Sequence, residues 1–253
     1  MKHPFSDIKF ILCDIEGTTS PISFVHKILF PYSEKKLSDF LANPILETAA
    51  DEKEFEQALK LIKQTMVDEN ITLSLEETLF KWIRLDRKHG GLKIIQGLIW
   101  QQGFYKGELK GHVYSDALVC LENWKRNGFS LGIYSSGSVQ AQKLLFSHTE
   151  KGNLLSLFSA FFDTAVGGKK EIQSYQKIYQ HLIKLNSLIV GLKGPGNILF
   201  LSDVLEECEA AHGAGFQTGL VRRPEDVPFQ LKSNVQPTFD LEVFSSFEQI
   251  DLK

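Results

Sequence analysis

Apolar residues recur along this chain in two rhythms. Near the start, Ile8-Lys9-Phe10-Ile11-Leu12-Cys13 is a short, mostly apolar run that gives way to Asp14-Ile15-Glu16-Gly17-Thr18-Thr19. Six residues rich in Ile and Phe fit a buried central strand, with two carboxylates and a glycine at its carboxyl end. From Thr19 the spacing turns helical and stays so for about ninety residues. Helices are predicted over 33–41, ending near Pro44, and over 51–69, where Phe55, Leu59, Ile62 and Met66 share a face behind an acidic first turn. A third starts at Ser74, with Glu77 completing a capping box and Leu75, Leu79, Trp82 and Ile83 on one face, and is expected to stop at Gly90-Gly91. A fourth covers 92–102, and Gly103, Gly107 and Gly111 mark the return.

From Ser115 strands and helices alternate. Ser115 or Asp116 is expected to cap a helix stopped by Gly128, and strands follow at 129–134, 161–163, 197–201 and 217–221. Helices are predicted over 139–147, over 174–185 and from Ser202-Asp203 to Gly213, while the stretch beyond Arg222 carries little signal. Alternation of this kind implies an α/β fold, a doubly wound parallel sheet covered on both faces. The helical block is then an insert: 1–20 and 112–253 form the α/β core and 21–111 an inserted helical cap. In such sheets the ligand crevice lies at the carboxyl ends of the strands. Asp14 and Glu16, Ser135 and Ser136, Lys169, and Asp203 all fall at those ends.

Composition narrows the class of protein. With 43% hydrophobic and 23% charged residues in 253, the chain reads as globular, with length for one large domain or two smaller ones. A net charge of −3 argues against a nucleic-acid surface. The absence of a long apolar run and of an apolar leader leads to the expectation of a cytoplasmic protein with no membrane partner. Three widely spaced cysteines, Cys13, Cys120 and Cys208, suggest neither a disulfide framework nor a zinc site, and the seven histidines show no ligand spacing. Cys13 lacks the arginine that a cysteine phosphatase loop needs six residues on, where Thr19 stands, and reads instead as a small buried hydrophobe.

Each cluster alone has a plain structural reading. An acid after a strand forms turns, Ser135-Ser136-Gly137-Ser138 caps a helix, Lys169 in Gly-Gly-Lys-Lys is a solvated charge, and Asp203 starts a helix. Their order along an alternating fold points instead to one site. Three acids in a crevice suit a hard divalent cation with oxygen ligands, Mg²⁺. A serine hydroxyl and backbone N–H groups at a helix N-terminus suit phosphate, and a lysine adds positive charge. In that site Asp14 attacks phosphorus to give an acyl phosphate, and Glu16 serves as acid for the leaving oxygen and then as base for water.

In this order, Asp14-Ile15-Glu16-Gly17-Thr18-Thr19, Ser135-Ser136, Lys169 and Ser202-Asp203 resemble the four motifs of the haloacid dehalogenase superfamily of aspartate-nucleophile phosphatases. Glu16 departs from the aspartate usual two residues after the nucleophile, and its extra methylene moves the acid by roughly 1.5 Å. With Phe24-Val25, Leu29-Phe30-Pro31-Tyr32 and Tyr134-Ser135-Ser136-Gly137-Ser138, the chain is similar over nearly its whole length to the acireductone synthases, the enolase-phosphatase family of methionine salvage. The resemblance implies enolisation and then dephosphorylation of 2,3-diketo-5-methylthiopentyl 1-phosphate. It places Asp14, Glu16 and Asp203 at the Mg²⁺ site, Ser135 and Ser136 on phosphate or substrate, and Lys169 at the motif lysine. Glu207 either orients the metal shell or is a plain helix acid, Lys170 is expected to be a surface charge, and His26 is the histidine to watch. Phe24, Phe30 and Tyr32 are candidates for selecting the methylthio end, or for packing. A monomer is expected. The alternatives are a phosphatase of the same superfamily acting on another small phosphorylated metabolite, a dehalogenase, and an inactive relative acting as an interaction module.

Overall fold

A computed structural model describes residues 5–185, 190–226 and 239–252; of the residues singled out above, His3 lies outside them. The chain divides into two compact units, Met1–Ser23 with Gly111–Lys253, and Phe24–Lys110.

Strand β1 (Phe10–Cys13) opens the first unit and is buried at every position. The first helix then begins ahead of the one predicted over 33–41. A single turn, α1 (Ile22–Phe24), runs through a π-helical stretch, Val25–Leu29, into α2 (Phe30–Ala42). The Phe30 N–H reaches back to Val25 O, widening the helix just ahead of Pro31, which has no N–H to give. Next come α3 (Ala49–Asp68), α4 (Leu75–Arg84) and α5 (Gly90–Tyr105). Capping boxes start two of them: Thr48 with Asp51 at α3, and Ser74 with Glu77 at α4. Leu37, Phe40, Ile62, Leu79, Trp82 and Ile95 belong to one apolar cluster that ties these helices together.

Gly90-Gly91 does not end α4, which stops at Arg84; it begins α5. The reason is packing against α3, because a Cβ on Gly91 would lie 2.7 Å from Ala58 O and 2.7 Å from Ile62 Cγ1. His89 caps α5 by accepting the Leu92 N–H on Nδ1 at 3.3 Å.

The chain re-enters the first unit at Gly111 and forms α6 (Ser115–Arg126), β2 (Ser130–Tyr134), α7 (Val139–Ser147), β3 (Phe158–Phe162), α8 (Ile172–Lys184), β4 (Ile198–Ser202), α9 (Leu205–Gly213) and β5 (Gln217–Val221). Neither Ser115 nor Asp116 caps α6; Tyr114 holds that position and Asp116 lies in the first turn. A sixth strand, β6 (Glu242–Phe244), pairs with β5 in the stretch that carries little sequence signal. The sheet is parallel throughout, in the order β3-β2-β1-β4-β5-β6.

Residues alternate across the sheet. Phe10, Leu12, Tyr134, Phe162 and Phe200 share a cluster with Tyr175 and Ile178 of α8 and Ala211 of α9. The intervening Ile11, Leu131, Ile133, Leu199 and Leu201 are also fully buried, and α6 and α7 contact β2 and β3. Both faces are covered, as a parallel sheet requires. Chain order reverses between β1 and β4, so a crevice opens at their carboxyl ends, where Asp14 and Asp203 begin.

Candidate active site

Asp14 follows β1 directly, and its N–H donates to Leu201 O of β4 at 2.9 Å, continuing the ladder to the strand's last turn. The loop then folds on itself: the N–H groups of Thr18, Thr19 and Ser20 all reach Ile15 O, and the Thr19 hydroxyl donates to Asp14 O at 3.0 Å. Gly17 adopts φ +72°, and a Cβ there would lie 2.5 Å from Asp203 Oδ2. Glycine therefore serves twice, by accepting the left-handed backbone and by letting the first loop press against the Asp203 carboxylate.

Lys169, which follows β3 and precedes α8, is 7% exposed. Its ammonium lies 2.5 Å from Asp14 Oδ1 and 2.7 Å from Glu207 Oε2, and 5.8 Å from the centre of the Tyr134 ring. Two tyrosines shape its approach: Tyr175 donates its hydroxyl to Lys169 O at 2.6 Å and Tyr134 donates to Gly167 O at 2.9 Å. Ser202 Oγ donates to Glu207 Oε2 at 2.7 Å, so the last residue of β4 fixes the partner of the lysine. Arg222 donates through Nη1 to Asp203 O.

Ser135 closes the group from the β2 side. It is fully buried, and its hydroxyl donates to Glu16 Oε2 at 3.1 Å while accepting the Gly137 N–H at 3.2 Å. Ser136 beside it is exposed on the loop. The first turn of α7 is less open to an anion than its sequence suggests: the Val139 N–H is held by Asp163 Oδ2 at 3.0 Å and the Ala141 N–H by Ser138 Oγ at 3.2 Å. Lys170 reaches outward to Glu206, 3.6 Å away and largely exposed, the surface charge its sequence context suggests. In the helical unit Phe30 stacks on Trp100 and meets the His26 ring edge-on, and Tyr32 donates to Glu108 Oε2 at 3.1 Å.

The structure thus brings Asp14, Glu16, Ser135, Lys169, Asp203 and Glu207 to the carboxyl ends of neighbouring strands. Two carboxylates, Asp14 and Glu207, pair with the one ammonium, and the charges of Glu16 and Asp203 act on Asp14 as well. Burial pushes the Asp14 carboxyl well above the usual carboxylate range against the pull of Lys169, and Glu207, Glu16 and Asp203 add to the rise. Burial likewise pushes Asp203 up to about 7, with Glu207 adding and Lys169 and Arg222 opposing. For Lys169, burial alone would lower the value, but Asp14 and Glu207 outweigh it, so the ammonium stays charged.

Such a surplus of negative oxygen calls for a hard cation. Among the described residues no three His, Cys, Asp or Glu side chains already stand as a metal cage. Mg²⁺ does not require one, because it keeps several waters and takes one or two carboxylates. The all-oxygen donor set and the strained Asp14 and Asp203 pair fit that ion.

Sequence alone leaves Glu207 open; its signal is the one-turn spacing from Asp203, and its partner proves to be the lysine. Arg223 went unread. Two arginines directly after an apolar strand were the available sign, and Arg223 turns inward to the carbonyl of Thr18.

Comparison with known proteins finds relatives along nearly the whole chain. The chain is 48% identical over 225 residues to an enolase-phosphatase E1 of Persephonella marina, covering 88% of this chain and 92% of the relative. It is 42% identical over 250 residues to the enolase-phosphatase E1 of Aquifex aeolicus, covering 97% of this chain and all of the relative. Among solved structures, the UTR4 protein of Saccharomyces cerevisiae superposes with a TM-score of 0.70 at 31% identity, over 95% of this chain and 99% of that one. The HAD-hydrolase YfnB of Bacillus subtilis, bound to magnesium, shares the fold at a TM-score of 0.55 and 14% identity, over 96% of each chain. No family model matches the chain. With nearly its full length aligned to such relatives and the strand-end acids, serine and lysine gathered at one crevice, the chain belongs to the enolase-phosphatase E1 family.

Proposed function

We propose that this chain is a cytoplasmic, monomeric, Mg²⁺-dependent enzyme that enolises 2,3-diketo-5-methylthiopentyl 1-phosphate and then removes its phosphate, giving the acireductone of methionine salvage. The observation that carries the reading is the Lys169 ammonium seated between Asp14 at 2.5 Å and Glu207 at 2.7 Å, with Glu16 held by the Ser135 hydroxyl beside them. Asp14 is the nucleophile, attacking phosphorus to form an aspartyl phosphate. Lys169 pulls the Asp14 carboxyl back toward its ionised form against burial and offsets charge on the phosphoryl oxygens. Glu16, the least buried of the four acids, gives a proton to the leaving oxygen and later takes one from water. Ser135 orients Glu16 in the free enzyme and turns its hydroxyl, with that of Ser136, to phosphate when substrate binds.

Asp14, Glu16 and Asp203 would hold Mg²⁺ through oxygen. When bound, that ion supplies positive charge for the phosphoryl group and for the enolate oxygen. Glu207 acts through Lys169, fixing where its ammonium points.

Turnover of the diketone phosphate, read as released phosphate and as absorbance of the product, tests the reading. Asp14→Asn is expected to lower phosphate release by at least about 10³-fold with the fold retained, and a chelator is expected to abolish it in the unsubstituted enzyme. Beryllofluoride is expected to add to the Asp14 carboxylate and to leave the Asp14→Asn variant unmodified, because an amide offers no anionic oxygen. Phosphate release with no enolised product would leave a phosphatase for another metabolite, and wild-type turnover by Asp14→Asn would remove the nucleophile assignment.

A further inference from the structure

The loop that carries Asp14 and Glu16 is anchored from behind by a second buried polar group, separate from the crevice. Arg223, 2% exposed, donates to a single carbonyl, Thr18 O, from Nε at 3.1 Å and from Nη2 at 2.8 Å. Its remaining nitrogen, Nη1, pairs with Asp116 Oδ2 at 2.5 Å, and the guanidinium packs on the rings of Tyr114 and Phe247 at 4.3 and 4.8 Å. Asp116 in turn accepts the Ser246 hydroxyl and the Phe247 N–H, so it cannot follow the arginine if the loop moves.

One 3₁₀ turn further on, Pro224–Asp226, stands a fully buried carboxylate. Asp226 Oδ2 accepts the Tyr114 hydroxyl at 2.5 Å and the Ile22 N–H at 3.1 Å, and the Asp226 N–H donates to Arg223 O at 3.1 Å. The Tyr114 N–H donates to Thr19 O at 3.0 Å. Ile22 lies where the chain leaves for the helical unit, and Tyr114 lies just after it returns. A single carboxylate thus holds both stretches. The hydroxyls of Thr18 and Ser20 have no partner among the described residues, so the loop's carbonyls and the Ile22 N–H carry the anchoring.

We propose that Arg223 and Asp226 are positioning residues, a buried clamp that fixes the Asp14–Ser20 loop and the two connecting stretches as one rigid piece of the α/β unit. The inference rests on the reading of Asp14 as nucleophile. A backbone displaced by a fraction of an ångström at Thr18 moves Gly17 against Asp203 and tilts both Asp14 and Glu16. Only a fork of planar donors satisfies one carbonyl twice and a carboxylate once; an ammonium does not reproduce it.

The test uses the full-length Mg²⁺-loaded enzyme with Arg223→Lys and Tyr114→Phe. Arg223→Lys is expected to lower kcat about 10- to 100-fold while KM stays within about threefold. Amide exchange of Gly17 through Ser20 rises, and the fraction of sites trapped by beryllofluoride stays at the wild-type level. Tyr114→Phe moves the same readouts in the same direction by about tenfold or less. Should Arg223→Lys fail to fold, Tyr114→Phe decides on the same terms. Wild-type kcat and loop exchange overturn the inference, as does a fall in kcat matched by an equal loss of trappable sites, which marks a residue that merely keeps the chain folded. If the unsubstituted enzyme releases no phosphate from the diketone phosphate, the functional reading fails, and loop exchange in the variants still decides on the clamp.

Discussion

The two units bury polar groups for opposite ends. In the α/β unit Asp14, Lys169, Asp203, Glu207, Arg223 and Asp226 are all less than a tenth exposed. In the helical unit Asp51 is the buried charge among the described residues, and it is satisfied locally, accepting the Thr48 N–H at 3.0 Å and the Gln101 side chain at 3.3 Å. The helical unit otherwise keeps its ion pairs outside, as with Arg84–Glu34 and Lys88–Asp86, where each contributes little to stability. Its fold is secured by an apolar stripe and by caps. The α/β unit instead gathers carboxylates around one buried lysine at its strand ends, where burying charge is costly. Placement of buried charge therefore separates the unit with a polar cluster at its strand ends from the unit held by apolar packing.

That contrast breaks most sharply at Lys169. Lys169→Met leaves Asp14 and Glu207 without their shared ammonium, and at neutral pH in a chelator it is expected to cost about 3–5 kcal/mol in urea melts. Mg²⁺ recovers part of the loss, and a cost under about 1 kcal/mol would mean the charges are not strained. A smaller effect is expected in the helical unit from Leu79→Ala, a fully buried side chain in its apolar cluster, at about 2–4 kcal/mol. Trp82 and Trp100 report on this unit and Trp124 on the other, so fluorescence shows whether the helical unit melts ahead of the sheet. Sensitivity to Mg²⁺ in this variant would contradict the division.

The smallest effect concerns pH. Burial and then Arg87 lower the His89 pKa below its usual 6.5, against Glu69. Its ring accepts the Leu92 N–H in the neutral form, and the unfolded chain takes up the proton more readily. Stability from this cap is therefore complete above pH 6.5 and lost as pH falls through the lower folded-state value, by about 1 kcal/mol. Thermal melts of the wild type and His89→Gln should converge toward low pH; a constant gap from pH 7.5 to pH 5 would assign the cap no titration.

Where local pattern and tertiary need agree, the chain could be read directly. The spacing at 139–147 gives α7 to the residue, and the Ser74 and Glu77 pair gives the start of α4. Gly90-Gly91 misled because glycine has two uses, to end a helix or to admit a neighbour, and only the approach of α3 distinguishes them. The strand β6 was illegible because three residues at a sheet edge carry too short a period, and its place is set by β5. Asp163 reads as one more acid at a strand end, yet it holds the Val139 N–H at 3.0 Å and the Ala165 N–H at 2.9 Å, the work of a cap.

By itself the sequence determined which residues could be chemical: acids, serine and lysine at the ends of apolar strands, singled out by their order along an alternating fold and not by any one of them alone. It also determined the division into a helical block and an alternating one, because periodicity is a local property. Tertiary structure alone decided which acid pairs with Lys169, that Ser135 rather than Ser136 turns to Glu16, that Arg223 reaches the Thr18 carbonyl and that Asp226 holds the Ile22 N–H. Those choices join residues far apart along the chain. They depend on strand order and on the burial of charge, which no local pattern encodes.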